Sequence, residues 1–300
     1  MLLTFLKIIR AVPRILRDSY FLLEDAIDWI LDQANVLPQP YLGYFHLLPP
    51  HDVYAPRQEF YDVFENDGFS FPQKPLHFLK MEIEHEEQKR LRQRYDEYIL
   101  NVDAEFARLY DHLYANGNLE NTWLILTSDH GEMFERGIRA HGRPVFYEPI
   151  IKVPLLILPP KQTVRQDIYT PTSAIDLLPT LLHFAQKSAP ETLTGQLLPP
   201  FNNAEPEESR SIYAVAAGQK DPLSALSRAT IMLLKDNYKM IYYFGYENMP
   251  GSDPYYELFN LVADPDEMVN LAGTKPQLEK DMFSELVASL HQNDKFPASN

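Results

Sequence analysis

Residues 121–132 read NTWLILTSDHGE, and the order of residue types in them sets the fold. Trp123 to Leu126 is an apolar run that, with Thr127, is as long as one buried strand, and it passes directly into Ser128, Asp129, His130, Gly131 and Glu132. A short continuous apolar run of this kind suits a strand covered on both faces. In open α/β sheets, ligands collect beyond the carboxyl ends of the strands, so an acid and an imidazole there are candidate site residues. Gly131 permits a tight turn. Side chains adjacent in extended backbone point opposite ways, whereas a turn lets Asp129 and His130 lean toward one cation. Carboxylate oxygen suits Ca²⁺, Mg²⁺ or Mn²⁺, and imidazole suits borderline ions. The competing reading makes Asp129 the cap of a helix beginning near Gly131.

Working outward, residues 81–116 form a long helix. Leu91, Tyr95, Ile99, Val102, Phe106, Leu109 and Leu113 recur at steps of three and four, and Gly117 stops the pattern. Lys89, Arg90, Arg92 and Arg94 fall off much of that stripe and read as a solvated face. A helix is expected over 19–35 and a short strand over 41–47 (YLGYFHL), ended by Pro49-Pro50. VPLLIL, 153–158, reads as a second buried strand, and SAIDLLPTLLHFA as a helix. The proline- and acid-rich stretch 188–208 reads as a loop. Beyond it, SIYAVAA, RATIMLL and YKMIYYF are strand candidates with no helix between them, and a helix closes the chain over 276–291. The expected architecture is α/β: a mixed, mostly parallel sheet flanked by helices over 1–200, then a small antiparallel α+β subdomain over 201–300.

Composition narrows the function. The 300 residues are 45% hydrophobic and 12% aromatic, enough for a sizeable core, and carry a formal charge of −15. That charge argues against a nucleic-acid partner, which needs a basic face. With no cysteine, disulfides, thiolate metal sites and a cysteine nucleophile are all excluded. The basic start, residues 1–17, is too interrupted by charge for a signal peptide or a membrane span and reads as a solvated or partner-covered helix. Membrane association is not expected, and a cytoplasmic location is.

Two further histidine settings stand out. HLLPPHDVYAP puts His46 and His51 at and just past the expected strand at 41–47, and RAHGRPVFYEP puts His141 in a glycine-flanked loop with Arg143. Histidine carries protons near neutral pH and holds anionic oxygen when protonated. His77, His85, His112, His183 and His291 lack such settings and read as surface or core.

Taken together, the strings from 95 to 132, from 141 to 158 and SAIDLLPTLL resemble the sulfatase family of the alkaline-phosphatase superfamily. YKMIYY, YELFNLVADPDEMVNLA and FHLLPPHDVYAP are similar to further motifs of that family, in its order. The resemblance implies that Asp129 and His130 are ligands of a divalent metal, Ca²⁺ first, with Mg²⁺ or Mn²⁺ as alternatives. It implies that His51 contacts the transferred group or leaving oxygen, and that His141 or Arg143 faces the sulfate oxygens. The implied substrate is a sulfate or phosphate ester.

The chain departs from the family pattern in one respect. It lacks the strand ending in paired aspartates and the Cys/Ser-x-Pro-x-Arg segment that supplies the nucleophile. Glu24-Asp25 sits in an expected helix, and Tyr54-Ala55-Pro56-Arg57 has tyrosine in the nucleophile's place. The expectation is therefore a truncated or split sulfuric ester hydrolase, inactive alone, whose complementary N-terminal chain supplies the rest. Two other readings stand beside it. One is a phosphonate or phosphodiester hydrolase, or a phosphoglycerol-type transferase, of the same superfamily. The other is a degenerate domain that binds without catalysis.

Overall fold

A computed structural model describes residues 22–70, 73–162, 164–202, 210–218, 226–251 and 255–292. The basic segment 1–17 lies outside them. Contacts divide the chain into two units. The first comprises 1–72, 82–126 and 156–163; the second comprises 73–81, 127–155 and 164–300.

In the first unit, helix α1 (Leu23–Val36) buries Leu23, Ile27, Ile30 and Leu31. They pack against Leu109 and Leu113 of helix α2 (His85–Ala115), with Leu124 beside them. The expected helix 81–116 is thus borne out. Its buried row differs from the expected stripe, because Glu97, Asn101 and Glu105 continue the step of four that ends in Leu109 and Leu113. Buried carboxylates persist only with partners. Arg94 bonds Glu97 at 2.5 Å, and Arg57 and Arg108 hold Glu105 at 3.0 and 2.6 Å. Asn101 accepts the Arg57 backbone N–H at 2.9 Å. Ile99 instead is 42% exposed. The basic face is also less solvated than expected, for Arg92 covers the Phe69 ring at 3.6 Å and Arg94 pairs with Asp62.

Strands β1 (Leu124–Thr127) and β2 (Leu155–Leu158) are hydrogen-bonded neighbours in a two-stranded sheet. Two expectations need correction here. Residues 41–48 form no strand, although Phe45 and Leu47 turn into the α1–α2 cluster while Tyr44 and Leu48 face out. The alternation of a strand is present, but no other described strand pairs with it. β2 is also less covered than its sequence suggests, with Leu155 38% and Leu156 44% exposed.

The second unit is built on the antiparallel sheet β3 (Ile212–Ala217), β4 (Ala229–Lys235), β5 (Tyr238–Phe244) and β6 (Tyr255–Asn260), in that order. The three expected C-terminal strands are present, and β6 is an addition. Asp236 and Asn237, both at positive φ, make the two-residue turn that pairs Lys235 with Tyr238. Both faces of the sheet are covered, so its strands read as continuous apolar runs. Ile231, Leu233, Met240, Tyr242 and Leu258 face helix α5 (Pro276–Gln292) through Met282, Leu286 and Leu290. Met232, Ile241, Tyr243 and Phe259 face Met133, Ile138, Val145, Tyr147 and Ile150. The stretch 132–150, which follows Asp129 and His130, is therefore anchored to this sheet. Helix α3 (Glu148–Ile151) ends that stretch, and helix α4 (Leu177–Phe184) follows β2 in the chain, entered through a 3₁₀ turn. No helix among the described residues is long and apolar enough to cross a membrane.

Candidate active site

After β1 the backbone does not enter a helix; residues 128–134 carry no regular structure. Asp129 is accordingly not a helix cap, and its Oδ1 accepts the N–H of His130 at 3.0 Å. The turn is tied down on both sides. Thr127 Oγ1 donates to the carbonyl of Pro154 at 3.0 Å and Ser128 Oγ to that of His130 at 2.5 Å. Gly131 donates its N–H to Ile150 O at 2.7 Å. A Cβ on residue 131 would stand 2.1 Å from Pro149 O, so this close approach requires glycine.

His130 donates from Nδ1 to Gly131 O at 2.9 Å, because a carbonyl can only accept. In the neutral ring the lone pair is then on Nε2, which stands 3.8 Å from Asp129 Oδ1. The next eleven residues bring a second imidazole back to the first. Ala140, at φ 61°, returns its N–H to Met133 O at 2.8 Å and closes the excursion. The rings of His130 and His141 then lie 3.9 Å apart between centroids, inclined by 38°. Glu132, with a side chain 3% exposed, accepts from His141 Nδ1 at 3.1 Å and fixes that ring. Arg143 is half-buried, and its Nε makes no hydrogen bond among the described residues.

Of the expected site residues, the structure brings Asp129, His130 and His141 together. His51 belongs to the first unit, exposed, its Nδ1 2.6 Å from Asp52 O. Sequence alone does not mark Glu132, whose available signal is an acid directly after His130-Gly131. His77, expected at the surface or in the core, is core, 5% exposed.

Asp129 Oδ1 and His130 Nε2 fit one side of a divalent cation's shell. A hard cation takes about six to eight ligands, and no group of three or more metal-ligating side chains occurs among the described residues. The fit is partial.

A polar cluster beyond the carboxyl end of a strand stands where α/β folds hold their ligands. The chain belongs to the sulfatase family, within the alkaline-phosphatase-like superfamily: the family profile matches residues 17–187. The C-terminal profile of N-sulphoglucosamine sulphohydrolase matches 139–295. Arylsulfatase K of Canis lupus familiaris is 24% identical over 327 aligned residues, covering 94% of this chain and 59% of the relative. A protein solved in complex with its substrate D-glucosamine-2-N,6-O-disulfate shares the fold. Its TM-score is 0.66 at 19% identity, over 90% of this chain and 69% of that one. A phosphonate monoester hydrolase from Silicibacter pomeroyi gives 0.54 at 25% identity, over 72% and 43%. The chain spans about half the length of the curated relatives it matches.

Proposed function

We propose that the chain carries part of the catalytic centre of a sulfuric ester hydrolase, with Asp129 and His130 as ligands of a divalent cation, Ca²⁺ first. His141 and Arg143 face the sulfate oxygens. One observation carries this reading: two imidazoles in ring contact beside a carboxylate at the end of β1, one of them held by the buried Glu132. Such an ion, when bound, polarises the ester oxygens and helps ionise a nucleophile. The residues here prepare for it. Gly131 O fixes the tautomer of His130 so that Nε2 is the ligating atom, and Glu132 holds Nδ1–H of His141 so that Nε2 is the atom that exchanges a proton with an ester oxygen. For His51 the proposal rests on the family pattern alone.

The 300 residues contain no cysteine and no Ser-x-Pro-x-Arg. Without a nucleophile the covalent route is closed. The nucleophile and the remaining ligands come from outside these residues, on a complementary chain or segment, and the isolated chain turns over no aryl sulfate above a metal-only control. Measured turnover would overturn that. Calorimetric titration with Ca²⁺ tests the ligands: weak binding is expected, and Asp129→Asn abolishes it. Binding unchanged in that variant refutes the assignment.

A second reading, a phosphonate or phosphodiester hydrolase, is favoured by Asp-His rather than Asp-Asn at 129–130 and by the likeness to the phosphonate monoester hydrolase. Coexpression with the segment that restores the nucleophile separates the two. Faster turnover of an aryl sulfate supports the first reading, and faster turnover of an aryl phosphonate monoester supports the second.

A further inference from the structure

In the second unit, a cavity of about 150 Å³ opens among the 73–81 segment, the turn at Arg136 and strand β6. None of Asp129, His130, His141 and Arg143 lines it. We propose that this cavity binds one neutral, polyhydroxylated ring of monosaccharide size, recognised by His77, Arg136 and Glu257 with Phe78 and Tyr255 as its apolar wall.

The argument begins at His77. Leu79 donates its N–H to His77 Nδ1 at 3.0 Å, so Nδ1 is an acceptor and the ring proton sits on Nε2. Burial, with the charge of Arg136 adding to it, lowers the ring's pKa to about 3, and at neutral pH the imidazole stays in that single neutral form. Its Nε2–H has no acceptor among the described residues, in a side chain 95% withdrawn from solvent (5% exposed). A buried donor left this way is destabilising unless a guest accepts from it.

Arg136 repeats the pattern. Nη2 donates to the carbonyl of Glu267, and the guanidinium lies over the Tyr147 ring at 4.2 Å. Nε makes no hydrogen bond among the described residues, its nearest acidic partner being the ion-paired Glu135 Oε1 at 3.8 Å. Glu257 offers the opposite function. Tyr147 and Tyr243 both donate to its Oε2, at 2.7 and 2.9 Å, which leaves Oε1 to accept.

Two idle donors and one acceptor oxygen, beside aromatic rings, define the guest by elimination. An anion would satisfy the donors but meet the carboxyl groups of Glu257 and Glu267, which also line the cavity. A cation would meet Arg136. A hydroxyl accepts and donates at once, so adjacent hydroxyls on one ring satisfy all three groups, while the ring's C–H face lies on the aromatic wall. One water, with a share of about 30 Å³ in the liquid, leaves most of the volume unfilled.

The inference does not rest on the hydrolase reading, and its test measures binding alone. The full chain, ¹⁵N-labelled at histidine, is titrated separately with D-glucose, N-acetyl-D-glucosamine and myo-inositol to about 50 mM, a range that saturates a millimolar site. A saturable shift of the His77 Nε2 resonance with at least one of them is expected. His77→Asn keeps an acceptor for Leu79 N–H but lacks the Nε2–H, and it should weaken that binding about tenfold. Tyr255→Leu removes part of the wall and should also weaken it. No saturable shift with any of the three compounds, or undiminished binding in both variants, overturns the proposal.

Discussion

Gly131 shows how one residue type can determine local geometry. Its Cα lies so close to the 149–150 backbone that no side chain fits, and the same approach turns His130 toward His141. Gly131→Ala is expected to cost at least about 1–3 kcal/mol, as overpacking does, measured as a fall in the urea midpoint. Asp176 makes a different single-residue case. It is fully buried, and Arg210 grips both oxygens, at 2.7 and 2.6 Å, while Ser173 and Gln196 donate backbone N–H groups at 2.8 and 2.9 Å. Burial opposes ionisation, but Arg210 and the two N–H groups outweigh it and hold the carboxyl below its ordinary 3.8. A lowered folded pKa contributes stability above the ordinary value and loses it as pH falls through the folded one. Asp176→Asn should therefore destabilise the chain by about 3–5 kcal/mol at neutral pH. The gap to wild type should narrow as denaturation is repeated at falling pH below 3.8.

At the scale of elements, helix α2 is instructive because its pattern is legible and its inward face is not wholly apolar. The three- and four-residue recurrence marks the helix correctly, since periodicity depends only on backbone geometry. Which row turns inward depends on what lies opposite. Leu109 and Leu113 meet α1, whereas Glu97, Asn101 and Glu105 meet arginines and the 57–62 segment. Glu105→Ala should cost about 1.5–3 kcal/mol, the range for hydrogen bonds to charged groups. Ile99→Ala should stay within about 0.5 kcal/mol, as an exposed site does. Equal losses in a denaturation series would refute the burial described here. Strands β4 and β5 present the opposite case, for their apolar runs needed no partner information to be recognised, being covered on both faces.

For the whole molecule, the exposed apolar surface dictates behaviour in solution. Leu42 is 52%, Tyr44 68% and Leu156 44% exposed, and β2 pairs only with β1 among the described strands. Such edges and patches favour association. Sedimentation should show concentration-dependent self-association, reduced in Leu156→Glu with folding stability unchanged within about 0.5 kcal/mol. A monodisperse monomer at all concentrations would contradict this.

What the sequence by itself determined is the local and repetitive part of the protein. It set the long helix, the strand ending in Asp129-His130, the C-terminal strands and the family, because periodicity, turn chemistry and ordered motifs are properties of neighbouring residues. Tertiary structure alone decided which groups meet across long separations. It brought His141 onto His130 with Glu132 behind it, left 41–48 without a paired strand among the described residues, and buried His77 and Lys239, the latter between Glu148 and Glu267 at 2.8 and 2.5 Å. The physical reason is that burial and pairing depend on what packs opposite a residue, and no local pattern encodes that.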